Sequence, residues 1–201
     1  MRDMTITEFC DKYRACNSGR DWALANCTTM TEAWEQLHPE WLIWVATRDG
    51  VLTNREHRLF VVWCARQVQH LVSDPIFLAA INMAERHANG VVTDNELQIA
   101  RDKAKAAQAP ARRYLYNDAR WANEAAIDAA YAEDSDWLVF EASRNAAGAA
   151  AWHAERMTAD NSFTAAAAAR FLTHDEARQA QSAWLRANTI PCFKQETPSS
   201  D

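Results

Sequence analysis

Residues able to bind a metal or transfer a proton occur in this chain without the spacing that those functions need. Glu35 and His38 form its single Glu-x-x-His motif, whereas a di-iron helix bundle uses that motif twice together with two further glutamates. His153 and Glu155 are two positions apart, so they would point to different faces of one helix. We therefore expect no metal site and no cofactor.

The residue patterns of nucleophilic catalysis are also missing. Cys64 and His70 are six positions apart and would not face each other on one helix. The chain has no G-x-S-x-G, no H-E-x-x-H and no glycine-rich phosphate loop. With only four glycines, few positions remain for a catalytic loop. We expect a protein without catalytic residues, and an enzyme with an unrecognised site between helices is the alternative from another class.

A mixture of basic and aromatic residues is the first candidate for binding a partner. It comprises Arg112, Arg113, Tyr116 and Trp121. Such a mixture could clamp single-stranded nucleic acid, but the formal net charge of −6 disfavours an anionic partner. Arg, Tyr and Trp also dominate protein interfaces. We therefore predict that these residues contact a protein, with a solvated helix end as the plain alternative.

An acidic turn is the second candidate. Glu133, Asp134 and Asp136 stand between two predicted helices. The turn could speed the encounter with a basic effector, or it could be a solvated loop with Ser135 as the N-cap of the next helix. We predict that it lies beside the Arg112–Trp121 cluster and that both contribute to one partner interface.

Tryptophan is unusually frequent, with nine residues. Aromatic residues at helical spacing normally pack in a core, so an aromatic pocket formed by the first-half tryptophans is the less favoured interpretation. These are Trp34, Trp41, Trp44 and Trp63. The residues predicted to be mostly buried are Trp44, Phe60, Trp63, Ile81 and Trp152. Arg66, Glu85 and Arg86, on otherwise apolar helices, are predicted to serve a structural ion pair rather than to anchor a ligand carboxylate.

The elements that must position these residues are helices. Alanine fills about a third of residues 98–187, and it is the strongest helix former, with almost no side chain to separate two helices. Close helix contacts are therefore predicted in this half, at Ala126, Ala130, Ala147 and Ala150. No strand-like alternation of apolar residues has convincing length. The predicted fold class is all-α, a single-domain multi-helix bundle with closely packed Ala-rich helices.

Helix boundaries follow from capping signals. Four capping boxes, each a Thr followed three residues later by Glu, precede apolar stretches. They are Thr29/Glu32, Thr53/Glu56, Thr93/Glu96 and Thr173/Glu176. Gly50 and Asn89-Gly90 have the residue types of helix stops. The predicted helices lie near 5–16, 20–26, 30–38, 39–48, 54–72, 75–88, 94–109, 111–132, 136–157, 162–172 and 174–188. We expect one domain over residues 1–190 and a flexible tail at 191–201.

The cysteines bear on the compartment. Their count of five is odd, no C-x-x-C occurs, and the sequence shows no secretory apolar segment. The longest apolar runs are far too short to span a membrane. We therefore expect a cytoplasmic protein with reduced thiols, without membrane or direct nucleic-acid partners.

Several short motifs resemble those of a known family. They are Trp41–Ala46 (WLIWVA), Asn54–Leu59 (NREHRL), Cys64–Arg66 (CAR), Pro75, Ala80-Ile81, Ala84–Arg86 (AER) and Asn89-Gly90. Followed by the alanine- and aromatic-rich half, this layout is similar to that of the helical immunity proteins of bacterial polymorphic-toxin systems. The resemblance implies an inhibitor that neutralises a toxin or another effector protein by direct binding, without chemistry. A phage-encoded inhibitor of a host defence complex, of the anti-CRISPR type, is the alternative.

Overall fold

The fold consists of helices throughout the part of the chain that the structure describes. This computed structural model describes residues 2–72, 74–111, 117–131, 136–157 and 163–194, and only the backbone at 109–111, 136–137 and 163–169. Within these ranges there are ten α-helices, a 3-10 turn at Gln69–Leu71 and no β-strand. The all-α prediction is therefore confirmed. None of the described helices is long and apolar enough to cross a lipid bilayer.

The helices are α1 Ile6–Tyr13, α2 Asn17–Asn26, α3 Met30–Gln36, α4 Pro39–Ala46, α5 Asn54–Gln67, α6 Pro75–Ala88, α7 Asp94–Ala111, α8 Asn117–Tyr131, α9 Asp136–Met157 and α10 Phe163–Asn188. Most of them begin within a few residues of the predicted positions, because the signals that start them are local.

The predicted capping residues start α3 and α5. At α5, the Glu56 N–H donates to Thr53 Oγ1 at 3.2 Å and the Thr53 N–H donates to the Glu56 carboxylate at 2.9 Å. At α3 the pairing is offset, because Thr29 accepts from the Glu32 N–H while the Glu32 carboxylate accepts from the Thr28 N–H. Both arrangements satisfy backbone donors that the first turn of a helix leaves without partners.

The other two predicted boxes have opposite outcomes. Thr93 accepts from the Glu96 N–H at 3.3 Å, and α7 begins at the next residue. Thr173, by contrast, lies inside α10, so the helix break predicted there is wrong. A Thr-x-x-Glu pattern marks a helix start only where the preceding residues leave the helix. Here an alanine-rich stretch of high helix propensity precedes it and continues the helix.

The predicted helix stop at Gly90 is confirmed, whereas α4 already ends at Ala46 with Thr47 as its C-cap, and Gly50 lies in the turn that follows. Both glycines have a positive φ, 76° and 69°. After α6, the Gly90 N–H donates to the His87 carbonyl and the Val91 N–H donates to the Arg86 carbonyl, each at 2.9 Å. These paired bonds form a Schellman motif, which needs a residue in the left-handed region where glycine carries no Cβ penalty.

The chain divides into two compact units. The first unit comprises Met1–Leu52 with Ser182–Asp201, and the second comprises Thr53–Gln181. Helix α10 therefore contributes residues to both. The expectation of one domain over residues 1–190 stays a prediction.

Aromatic residues form the core of the first unit. Phe9 and Trp34 are buried, and each meets the ring of Phe193 edge-on with centroids 5.8 and 6.2 Å apart. Phe193 belongs to the segment predicted as a flexible tail, yet it is buried and its carbonyl accepts from the Met4 N–H at 2.7 Å. Burying one large apolar side chain stabilises by about 1.5–3 kcal/mol, which fixes this part of the segment in the core.

Alanine and aliphatic side chains form the core of the second unit. Its fully buried residues include Phe60, Ile81, Ala126, Ala130 and Ala147, as predicted. Ala150 is half-buried. The small side chains on α8 and α9 let the two backbones approach closely.

Trp44, Trp63 and Trp152 are mostly buried, as predicted, but unlike Phe60 and Ile81 they keep part of their surface exposed. The guanidinium of Arg48 lies 4.8 Å from the ring of Trp44, and that of Arg170 lies 4.6 Å from the ring of Trp152. An arginine over the outer face of an indole provides cation–π attraction and an aliphatic stem as cover. The two arginines therefore cover the parts of these rings that the apolar core does not.

The predicted ion pair between Arg66 and Glu85 is confirmed. The Arg66 Nη2 atom lies 2.5 Å from Glu85 Oε2 and 2.7 Å from Asn82 Oδ1. The pair joins α5 to α6 and is partly exposed rather than buried, so it carries a smaller desolvation penalty than a core pair would.

Candidate functional site

Five of the seven residues predicted to bind a partner lie outside the described residues, namely Arg112, Arg113, Tyr116, Glu133 and Asp134. Asp136 is the first residue of α9, and its side chain is also outside them. Trp121 lies in α8 and is half-buried. The site is therefore built from Trp121 and the described residues around it.

Helix α8 separates the two predicted clusters. It has 15 residues, Asn117–Tyr131, which corresponds to about 22 Å. The basic and aromatic residues 112–116 precede its first residue, whereas the acidic residues 133–136 follow its last. Most residues of both clusters lie outside the described residues, so the prediction that the clusters lie beside each other stays a prediction.

Trp121 packs across α8 and α9 on a glycine. A Cβ atom built at Gly148 would overlap Cε3 and Cζ3 of the Trp121 ring. A glycine in the interior of a helix destabilises it by about 1 kcal/mol relative to alanine, so its presence needs a packing reason. No role for Gly148 was predicted from the sequence, although its place inside an alanine-rich helix was the available signal.

A buried carboxylate lies one turn before Trp121 on α8. Asp118 is almost fully buried and accepts from Arg156 Nε at 2.9 Å and from the Ala119 N–H at 2.9 Å. His153 Nδ1 lies 3.3 Å from the same carboxylate. Burial alone would raise the pKa of Asp118, but the hydrogen bonds from Arg156, Ala119 and His153 outweigh it and place the pKa below its ordinary value.

This cluster continues to a second histidine. The rings of His153 and His70 meet edge-on with centroids 5.6 Å apart. A carboxylate that orients an imidazole is also the arrangement of a general base, but here the Asp118 carboxylate is shared with the Arg156 guanidinium. The cluster therefore acts first as a link between α8 and α9. Among the described residues, no group of three or more His, Cys, Asp or Glu could hold a metal ion.

Exposed apolar side chains gather where α9 ends and in the first half of α10. Met157, Phe171 and Leu172 are 62%, 64% and 64% exposed. The guanidinium of Arg170 lies 4.6 Å from the ring of Trp152, and its Nη1 atom lies 3.3 Å from Glu155 Oε2. The result is an apolar surface with an ordered arginine at its edge.

These residues share one end of the second unit with the start of α8. The Asp118–Arg156 and Asp128–Asn145 hydrogen bonds show that α8 and α9 run antiparallel, so the last turns of α9 lie beside the first turns of α8. We name this region the arginine–aromatic end. It comprises Arg120, Trp121, Trp152, Arg156, Met157, Arg170, Phe171 and Leu172.

A groove of about 250 Å³ lies between α5, α9 and α10. Alanine is the most frequent residue in its lining, with three on α9 and two on α10, and these side chains are too small to fill the space between three helices. Trp63 contributes its ring from α5, and Thr173 and Glu176 line the groove from α10. Thr173 follows Leu172 directly in the chain, so the groove lies next to the arginine–aromatic end.

Two arginines hold the opposite end of α8. The Ala130 carbonyl accepts from Arg58 Nη1 at 3.1 Å and from Arg101 Nε at 2.5 Å. Arg58 is fully buried, and Arg101 lies 5.0 Å from the ring of Tyr131. Cations near the last carbonyls of a helix offset its negative pole, so this arrangement stabilises the last turn of α8.

An acidic group on α8 faces α9. Burial raises the pKa of Asp128 to about 7, with nearby Glu124 and Glu141 adding to the shift and the hydrogen bond from Asn145 Nδ2 opposing it. That bond measures 2.9 Å. Burial and the two neighbouring carboxylates together favour the neutral form of the Asp128 carboxyl. Its raised pKa therefore needs no bound ligand as a cause.

The tryptophans of the first unit pack individually and with other rings. Trp34 is in the core, whereas Trp41 packs on Trp22 and His38 with centroids 6.0 and 6.1 Å apart. These contacts agree with the prediction that first-half tryptophans serve packing.

The chain was compared with protein-family models, with curated proteins and with solved structures, and none of them matches it.

Proposed function

We propose that this chain is a non-enzymatic inhibitor of the immunity type, which neutralises an effector protein by binding it at the arginine–aromatic end. The observation that carries this proposal is the exposure of Met157, Phe171 and Leu172 on two helices that Arg170 joins through its contacts with Trp152 and Glu155. Apolar side chains that are exposed as a group mark contact surfaces, whereas single exposed ones are ordinary. The resemblance to immunity proteins supports a toxin as the effector.

The polar residues around this surface also suit a protein partner. Arg156 pairs with Asp118, and Arg170 pairs with Glu155 while covering Trp152. Arginine and tryptophan supply much of the binding energy in known interfaces. Side chains that are already ordered lose less conformational entropy when a partner binds.

The residues predicted from the sequence extend this proposal. Arg112, Arg113 and Tyr116 come shortly before α8 in the sequence, and we propose that they belong to the same interface. A standard interface buries about 800 Å² on each partner, which is wide enough to reach both ends of α8. The acidic residues 133–136 at the other end would then steer a basic effector toward the surface.

Calorimetric titration with the purified effector tests this function, after affinity capture from the native host has identified it. Changing both Phe171→Ser and Leu172→Ser is expected to raise the Kd at least about tenfold, or 1.4 kcal/mol, because two apolar anchors lose their contacts. Ile190→Ser is the matched control, since Ile190 is 86% exposed and belongs to the first unit. An unchanged Kd in the double variant would place the interface elsewhere.

A further inference from the structure

The groove between α5, α9 and α10 has a distinctive combination of lining groups. Among the described residues that line it, Glu176 is the single charged one. Glu176 is exposed, and none of the described residues forms an ion pair with it. The groove is smaller than the 300–1,000 Å³ typical of drug-sized ligand sites, so its size suits a single long side chain.

The floor of the groove is apolar. The thiol of Cys64 is fully buried, and burial raises its pKa far above the ordinary value, so it stays neutral. Ala147 is fully buried beside it. The guanidinium of Arg178 donates to Ser143 Oγ at 3.0 Å and to Gln181 Oε1 at 2.9 Å. Because Arg178 carries a positive charge near the floor, a cationic head group would be stable only at the mouth.

We propose that this groove takes one long basic side chain, an arginine or a lysine, of the bound effector. The aliphatic stem lies along the alanine walls against the Trp63 ring, and the cationic head meets the Glu176 carboxylate at the mouth. Long basic side chains bury their stems on apolar surfaces and keep their charges in water in this way. This inference rests on the proposed function for its effector.

Charge complementarity favours a basic occupant over an acidic or neutral one. The chain carries a net charge of −6, so a basic effector is attracted to it at long range. The arginines that flank the lining residues along α9 and α10, Arg144 and Arg170, are paired with Glu141 and Glu155. They therefore repel a basic partner less than unpaired arginines would.

The first arm of the test uses the full-length chain without any partner. N-propylguanidinium, which reproduces an arginine head and stem, is titrated while the indole N–H signals are followed by NMR, with Trp63→Phe identifying the signal of Trp63. We expect a saturable shift of that signal. N-propylurea, which has the same size and no charge, should bind about two- to fivefold more weakly, as for an exposed ion pair. Equal binding of the two probes, or no shift of the Trp63 signal, would overturn the proposal.

Glu176→Gln should weaken the binding of N-propylguanidinium by the same factor and leave the binding of N-propylurea unchanged. Asp175→Asn is the matched control, because Asp175 is exposed on the same helix and does not line the groove. If Glu176→Gln has no more effect than Asp175→Asn, Glu176 is not the recognition group and the proposal fails.

The second arm uses the effector. Glu176→Gln should weaken effector binding about two- to fivefold, and probe binding without any such loss would overturn the effector side chain as occupant. The two proposals fail separately. If the groove does not bind the probe, but the Phe171→Ser, Leu172→Ser double variant still binds the effector more weakly, only this inference fails. If the double variant binds the effector with an unchanged Kd, the proposed binding surface is wrong.

Discussion

Gly148 is the residue whose identity is most restricted by the packing of α8 on α9. The Trp121 ring occupies the volume that a Cβ would fill. Alanine at this position would favour the helix by about 1 kcal/mol but would also force the ring to move. Overpacking of a tight contact typically destabilises by about 1–3 kcal/mol, so the steric term outweighs the propensity term.

Gly148→Ala is therefore expected to lower the free energy of unfolding by about 1–2 kcal/mol, measured by urea denaturation. A double-mutant cycle separates the two terms. In a Trp121→Ala background the clash is gone, and Gly148→Ala should become stabilising by about 0.5–1 kcal/mol. An equal loss in both backgrounds would show that the tryptophan is not the cause.

Asp128 makes a second residue-level prediction, which concerns pH. Its pKa is raised from 3.8 to about 7 by folding, so the folded state holds a proton that the unfolded state releases between these values. Stability from this group is therefore full below about pH 4, falls as the pH rises toward 7, and is constant above that. Carboxyls with lowered pKa values, such as Asp118 and Glu8, act in the opposite direction.

Asp128→Asn isolates this contribution, because the amide cannot ionise. We expect the free energy of unfolding of the variant, relative to the natural chain, to increase by about 2–4 kcal/mol between pH 4 and pH 8. Chemical denaturation at both pH values measures it. Asp175→Asn, at an exposed position, should show a pH-independent difference. The same flat difference for Asp128→Asn would contradict the raised pKa.

At the scale of helices, identical capping motifs have different roles at Thr93 and Thr173. Thr93 caps α7, whereas Thr173 lies within α10. Thr93→Ala should destabilise by about 1 kcal/mol, the usual cost of losing an N-cap. Thr173→Ala should change stability by less than about 0.5 kcal/mol, because alanine is the better helix former. Comparable losses in thermal unfolding of both variants would indicate a helix start at Thr173.

The sequence was sufficient for features that depend on a few neighbouring residues. The capping threonines of α3, α5 and α7 and the stop at Gly90 follow from local patterns, and the ion pair between Arg66 and Glu85 joins two helices that are consecutive in the chain. One local signal was overlooked, since Thr5 and Glu8 form a further capping box that starts α1.

Contacts between distant helices could not be predicted in the same way. Asp118 and Arg156 are 38 positions apart, and nothing in either neighbourhood specifies the other. The groove is lined by alanines of α9 and α10 together with Trp63 of α5, and this combination depends on how three separate helices pack.

At the scale of the whole molecule, charge and apolar surface are expected to act on different steps of binding. The net charge of −6 attracts a basic effector at long range, and the acidic residues 133–136 would concentrate this field locally. Such steering changes association rates and fades with salt, because the Debye length falls from about 10 Å at 0.1 M to about 3 Å at 1 M. Apolar anchors act after contact and therefore set dissociation.

Reversing the charges at Asp134 and Asp136 to lysine is expected to slow association several-fold at low salt and little at high salt, measured by surface plasmon resonance with the effector. The control reverses Asp21 and Asp49, which are exposed in the first unit, and so changes the net charge equally. If the field of the whole molecule did the steering, both variants would slow association alike. A larger effect at Asp134 and Asp136 alone would place the acidic turn at the rim of the interface. Equal association rates for both variants and the natural chain would show that the acidic turn does not contribute to the encounter with the effector.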